Sequence, residues 1–189
     1  MAKYGMVMDL RTCLGCGACI AACDFENETP WEEGKRRTHV PEFIFGEFPN
    51  VKRLFVPRLC MHCENPPCVT VCPTGASYIN EDGVVLVRYD ICIGCKYCAV
   101  ACPYNARYVD ERKRAIDKCT FCYDNRVLQG RQPACVETCV GHARIFGDLE
   151  DPNSEVYKLV QSGEAVPLRP DLSTGPKVFY IFKSSVGGE

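Results

Sequence analysis

The sequence predicts an α+β fold made of two similar small units, and three observations predict it. Sixteen cysteines stand in 189 residues. They fall without remainder into four quartets: Cys13, Cys16, Cys19 and Cys23; Cys60, Cys63, Cys68 and Cys72; Cys92, Cys95, Cys98 and Cys102; Cys119, Cys122, Cys135 and Cys139. Between the second and third quartets lie two short apolar runs joined by a glycine turn, so that cysteine loop, helix start and hairpin recur along the chain.

The third quartet reads Cys92-x2-Cys95-x2-Cys98-x3-Cys102-Pro103, the spacing with which bacterial ferredoxins hold cubane iron-sulfur clusters. Its first three thiolates wrap one corner of a cluster. The fourth, on the turn of helix that follows, points toward a second cluster, so one run implies a partner run. Upstream, Cys60-x2-Cys63-x4-Cys68-x3-Cys72-Pro73 supplies it, and Cys13-x2-Cys16-x2-Cys19-x3-Cys23 and Cys119-x2-Cys122-x12-Cys135-x3-Cys139 repeat the theme. At four thiolates per cubane, the sixteen cysteines suffice for four [4Fe-4S] clusters with every iron capped by protein. A capped iron has no open position for substrate, so such clusters carry electrons.

Two other uses of cysteine compete. A disulfide framework spaces its cysteines across loops, whereas all four quartets here end in x3-C. An all-cysteine zinc site combines two separated C-x2-C pairs. The first and third quartets instead offer three closely spaced ligands each, and only the last resembles a zinc site by itself. A zinc-stabilised interaction module and a stand-alone soluble polyferredoxin therefore stand as alternatives to a subunit of an electron-transfer complex.

The formal charge of −2 counts the cysteines as neutral. Sixteen thiolates and four oxidised cubane cores bring the loaded protein to about −10. The basic runs Lys35-Arg36-Arg37, Lys52-Arg53 and Arg112-Lys113-Arg114 are short, and no zinc-finger histidine pair is present, which argues against nucleic acid. Residues 1–9 are too few and too polar ahead of Cys13 for a signal peptide and contain no twin arginine, so export would depend on a partner. No apolar run approaches the roughly eighteen residues of a membrane span.

In order, residues 4–9 alternate as a strand does and lead into the first cysteine loop, where Gly15 and Gly17 suit a backbone curling around sulfide. Residues 18–23 begin a helix. Residues 26–59 carry no cysteine but hold Trp31, Phe43, Phe45, Phe48, Phe55 and four prolines, an insertion that reads either as an ordered excursion over a neighbouring surface or as a mobile loop. Trp31 reads as local packing rather than an interface anchor. Ser77-Tyr78-Ile79 and Val84-Val85-Leu86-Val87 form a hairpin about the turn 80–83, and residues 106–109 and 115–116 echo it about 110–114. The tail supplies a helix over 155–161 after Asp151-Pro152-Asn153-Ser154 and a strand over 177–182. His39, His62 and His142 read as structural or polar surface rather than as ligands, since the cysteines satisfy the clusters.

On these four quartets, with Glu26-Asn27 after Cys23, Phe146-Gly147-Asp148 after Cys139 and the tail Pro176-Lys177-Val178-Phe179-Tyr180-Ile181, the sequence resembles the four-cluster iron-sulfur subunits of respiratory molybdenum or tungsten oxidoreductases, of the polysulfide, thiosulfate, tetrathionate and dimethyl sulfoxide reductase type. The resemblance implies crossed ligation. Cys13, Cys16, Cys19 and Cys139 would share one cluster, and Cys23, Cys119, Cys122 and Cys135 a second. Cys60, Cys63, Cys68 and Cys102 would share a third, and Cys72, Cys92, Cys95 and Cys98 a fourth. Two ferredoxin-like two-cluster units follow, residues 1–25 with 104–148 and residues 60–103, with the insertion 26–59 and a C-terminal packing extension 149–189. Val140 departs from the proline that often follows the last cysteine. The implied partners are a molybdopterin catalytic subunit and an integral membrane quinone-reactive subunit. The implied place is peripheral to a membrane, on the periplasmic face by co-export with a signal-bearing partner, or alternatively on the cytoplasmic face.

Overall fold

A computed structural model describes residues 2–30, 32 and 34–182. Strand β1 (Tyr4–Asp9) enters the first cysteine loop and helix α1 (Ala18–Asn27) leaves it. The hairpin of β2 (Glu42–Phe45) and β3 (Lys52–Phe55) precedes helix α2 (Pro67–Thr70), which is followed by the hairpin of β4 (Ser77–Ile79) and β5 (Val85–Val87). Helix α3 (Tyr97–Val100), the hairpin of β6 (Tyr108–Asp110) and β7 (Ala115–Asp117), and helix α4 (Ala134–Glu137) repeat that order. Strand β8 (Arg144–Asp148), helix α5 (Glu155–Gln161), β9 (Val166–Pro167) and β10 (Val178–Ile181) complete the described chain.

The helices start where the backbone is forced to turn. Left-handed residues, Gly17 at φ 75° and Lys96 at φ 66°, open α1 and α3, while prolines at 66, 67 and 133 open α2 and α4. Three of these helices have only four residues, far below the roughly 12–15 that a helix needs to persist alone in water. Tertiary contacts hold them instead: α1 lies on α4, and α2 on α3.

Strands β8, β1, β10 and β9 form one sheet in that order, with β10 parallel to β1 and the other pairs antiparallel. Its alternation gives it two apolar faces. Val7 and Ile181 pack with Val156 of α5 and Ala165 on one side. Met6, Met8, Val178 and Tyr180 pack on the other, in the same core as Cys19, Cys60, Cys63, Cys119 and Cys135. The sheet thus serves as a wall for the thiols. The tail strand completes this wall, and Tyr180 donates a hydrogen bond to the carbonyl of Pro57 at 2.9 Å, which fastens the end of the insertion to it.

Within residues 26–59 the β2–β3 hairpin exposes its whole first strand, while Leu54 is buried and Phe55 covers the first cysteine loop. A Cβ on Gly15, whose φ is +68°, would stand 2.5 Å from the Phe55 ring. Only glycine fits there. Trp31, for which local packing is expected, lies outside the described residues.

The same insertion sends Arg37 inward to Asp117 of β7, a 3.0 Å ion pair in which the carboxylate is wholly buried. Asp117 also accepts hydrogen bonds from Tyr89, Tyr108, Lys113 and the backbone of Lys118. Burial pushes its carboxyl upward, but Arg37 beside it and the Lys113 ammonium outweigh this and hold it below the ordinary carboxylate range. Its contribution to stability is therefore complete above the unfolded value of about 3.9 and is lost as pH falls through the lower folded one. Arg37→Met leaves Lys113 as the one remaining cation on the buried carboxylate, with an expected loss of about 3 kcal/mol, the low end for a broken buried pair. Thermal unfolding of the loaded protein checks this, and the double variant Arg37→Met, Asp117→Asn is expected to regain part of the loss.

Candidate iron-sulfur centres

All sixteen cysteines are free thiols, so no disulfide framework is formed. Folding gathers them across quartets rather than within them. Cys13, Cys16, Cys19 and Cys139 line one cavity together with Gly15, Gly17, Gly141 and Arg144. Cys72, Cys92, Cys95 and Cys98 line another with Ser77, Lys96 and Ile116. The Cys23 thiol has Cys119, Cys135 and Cys122 as its charged neighbours. Cys63 has Cys60, Cys68 and Cys102. The packing of α1 on α4 and of α2 on α3 produces this exchange, since each helix carries the third cysteine of its quartet and the closing cysteine lies within it or two residues past its end.

The four sets differ in exposure. Cys16 and Cys95 are exposed, whereas Cys23, Cys119, Cys122, Cys135, Cys60, Cys63 and Cys68 are buried. The sets also adjoin one another in a line. Cys135 has Cys19 as a neighbour, Cys119 has Cys60, and the guanidinium of Arg107 faces Cys68, Cys60 and Cys98. Between the two sets that reach the surface lie the second, buried throughout, and the third, buried except for the half-buried Cys102.

Crowded thiols away from water resist ionisation. Burial first, then the neighbouring Cys119, Cys135 and Cys122, push Cys23 far up. Burial and Cys60 push Cys63 up to about 12 against a hydrogen bond from Thr174, and burial with Cys135 takes Cys119 to about 12 against the backbone N–H of Phe121. Cys72 goes the other way: burial is the largest single influence and raises it, but hydrogen bonds from the backbone N–H of Ser77 and the Thr74 hydroxyl and from neighbouring N–H groups together outweigh this and lower it. Four thiolates held this close together require cations among them, which is what iron supplies.

Other groups suit the same occupant. Backbone N–H groups of Ser77, Phe121 and Ala143 donate to Cys72, Cys119 and Cys139 at 3.4, 3.4 and 3.2 Å. Arg107 donates to Cys68 at 3.0 Å and Arg144 to Cys19 at 3.3 Å. Nε of both arginines and Nη1 of Arg144 are buried with no protein acceptor, donors that a cluster sulfide would satisfy. Among the described residues no three His, Cys, Asp or Glu side chains converge on a single point, as a zinc ion with bonds of about 2.3 Å demands.

A 4Fe-4S dicluster domain model matches residues 51–149 and a second matches residues 12–76. This protein belongs to the 4Fe-4S dicluster family. It is 45% identical over 183 residues to a tetrathionate reductase subunit of Salmonella typhimurium, covering 95% of this chain and 72% of the relative. It is 44% identical over 187 residues to a polysulfide reductase component of Wolinella succinogenes, covering 95% and 94%. The iron-sulfur subunit of an arsenate respiratory reductase from a Shewanella species is 37% identical over 227 residues, covering 95% and 96%. As a 4Fe-4S dicluster protein with sixteen cysteines, this chain carries four [4Fe-4S] clusters and is an iron-sulfur subunit of the reductase type. Among its described residues no helix is long and apolar enough to cross a membrane.

Spacing identified the cysteines but missed the polar residues among them. His62 is fully buried and stacks on Phe121 with ring centres 3.7 Å apart, while its Nδ1 accepts from the Val85 N–H at 3.2 Å. Lys118 is fully buried where the second and third sets meet, and its Nζ donates to the carbonyls of Val85 and Cys119. Arg107 and Arg144 had a regular signal, each standing five residues after the closing cysteine of its quartet, Cys102 and Cys139.

Proposed function

We propose that this iron-sulfur electron-transfer subunit relays electrons between an integral membrane quinone-reactive subunit and a molybdopterin catalytic subunit holding molybdenum or tungsten. Its proposed ligand sets are Cys13, Cys16, Cys19 and Cys139; Cys23, Cys119, Cys122 and Cys135; Cys60, Cys63, Cys68 and Cys102; and Cys72, Cys92, Cys95 and Cys98. Bound clusters supply one-electron redox steps. The chain's own residues hold them at fixed separations, exclude water from the two inner sets and aim N–H groups at the thiolates.

The observation that carries this reading is the line of sets whose two ends each reach the surface through an exposed thiol, Cys16 and Cys95, while the two middle sets hold no exposed thiol. A shuttle between soluble partners needs one accessible cluster, whereas a relay needs an entrance and an exit. The reductase names of the relatives support partners of both kinds. In this reading the subunit is peripheral to the membrane, on the periplasmic face through co-export with a signal-bearing partner. The first two sets, with residues 1–25 and 104–148, make one unit and residues 60–103 the other.

Native purification from the source tests it. About sixteen irons and sixteen sulfides per chain are expected, in a preparation whose large co-purifying subunit contains molybdenum or tungsten. A fully iron-loaded chain that purifies alone as a monomer overturns the partners while leaving the clusters in place.

A further inference from the structure

Each adjoining pair of thiolate sets, the first with the second and the third with the fourth, has one buried arginine beside it. Arg144, the first residue of β8, is 3% exposed. Its Nη2 donates to Cys19 at 3.3 Å and to the Thr38 hydroxyl at 2.8 Å, and its charge also faces Cys135 and Cys119 of the second set. Arg107, just ahead of β6, is 6% exposed. Its Nη2 donates to Cys68 at 3.0 Å and its Nη1 to the Ser77 hydroxyl at 2.8 Å, and it faces both Cys60 of the third set and Cys98 of the fourth. The two occupy equivalent places in the repeated plan, five residues after Cys139 and Cys102.

A guanidinium does not lose its proton in a protein, and burying it is costly unless an opposite charge lies beside it. Their protein acceptors are hydroxyls and thiols, and among the described residues neither forms an ion pair with a carboxylate. The counter-charge is therefore the thiolates and what they hold. Net charge and hydrogen bonds to sulfur are two of the controls on cluster potential. An added electron makes a set more negative, and a fixed cation beside it favours that state.

We propose that Arg144 and Arg107 are positioning residues that set the potentials of the relay, Arg144 raising those of the first and second sets and Arg107 those of the third and fourth. Placement between the sets matters. When one electron passes from one set to its neighbour, the first is oxidised by one electron and the second reduced by one, and the summed charge of the pair is unchanged. A cation on one flank would tilt that step, whereas a cation between the sets stabilises the electron on either side. The unpartnered Nε atoms add hydrogen-bonding capacity in the same place.

The inference rests on the ligand sets proposed above, and the test separates the two. Arg107→Gln, Arg107→Lys, Arg144→Gln and Arg144→Lys are introduced into the isolated complex. Iron per chain and EPR-monitored potentiometric titration are then measured. Arg107→Gln is expected to lower the midpoints of two clusters, each by at least a tenfold change in its oxidised-to-reduced ratio, about 59 mV for one electron. The other two are expected to stay in place. Arg144→Gln should do the same to the complementary pair, and each Lys variant should recover most of the shift. If one Gln variant loses iron, the other Gln variant and both Lys variants decide the matter. Fully loaded variants with all four midpoints unmoved overturn the inference, as does a tenfold shift in a loaded Lys variant. Wild-type chain with far fewer than sixteen irons overturns the underlying reading instead.

Discussion

Stripped of iron by a chelator under reducing conditions, the chain is expected to lose its cooperative unfolding transition entirely. Cysteines occupy a large part of what is buried: Cys19, Cys60, Cys63, Cys119 and Cys135 sit in the main core, and Cys68 and Cys98 in a smaller one with Val85 and Ile116. Without metal these positions are a crowd of small thiols around cavities. The flanking elements have little stability of their own, since α2, α3 and α4 are single turns and β4 to β7 have three residues each. Structural zinc sites in small domains contribute on the order of 10–16 kcal/mol, while whole domains are stable by only about 5–15 kcal/mol. Losing metal of that order at four sites exceeds any margin the apolar sheet core provides. Amide dispersion and near-UV circular dichroism of the apoprotein check this, and a sharp melt with native-like dispersion would contradict it.

The second large effect is directional. Cys98→Ser, in an assembled complex, is expected to cut quinol-driven turnover by about 10- to 100-fold or more, the range seen when metal-site support is lost. Activity with an artificial donor that feeds the catalytic subunit directly should change little. Cys98 is buried in the surface-reaching set with Cys72, Cys92 and Cys95, which the proposed relay places toward the membrane subunit. The same proposal places the set of Cys13, Cys16, Cys19 and Cys139 toward the catalytic subunit. Serine removes one thiolate with almost no change of volume, so packing around Ile116 and Val85 survives. Equal loss of both activities, or of neither, in an assembled complex reverses or abolishes the ordering.

Spacing made the cysteine loops and the two small hairpins legible, because a ligand run and a glycine turn are local features. Strand β1 and the tail helix were legible for the same reason. The sheet was not: β10 lies parallel to β1 although more than 160 residues separate them, and nothing local in residues 177–182 names that partner. The hairpin within residues 26–59 was also hidden, since β2 is exposed at every residue and shows no buried face. Crossed thiol sets were implied only by resemblance. They follow in the structure from helix pairing, a tertiary fact that no single quartet encodes. The buried arginines escaped because charge in a core contradicts the composition rule, and only their fixed distance from Cys102 and Cys139 marked them.

The long reach from β1 to its partners has a consequence for the order in which the molecule is made. The thiols of residues 60–102 complete two sets within one short stretch, whereas Cys13 waits for Cys139 and Cys23 for Cys135. Strand β1 leaves the ribosome well before its partners and gains neither β8 nor β10 until more than 130 further residues have followed, an interval of roughly 7 to 27 seconds at about 5–20 residues per second. During that interval the first cysteine loop has no sheet behind it and no closing thiol. The two sets within residues 60–102 therefore have all their thiols before the first cysteine loop has its closing one.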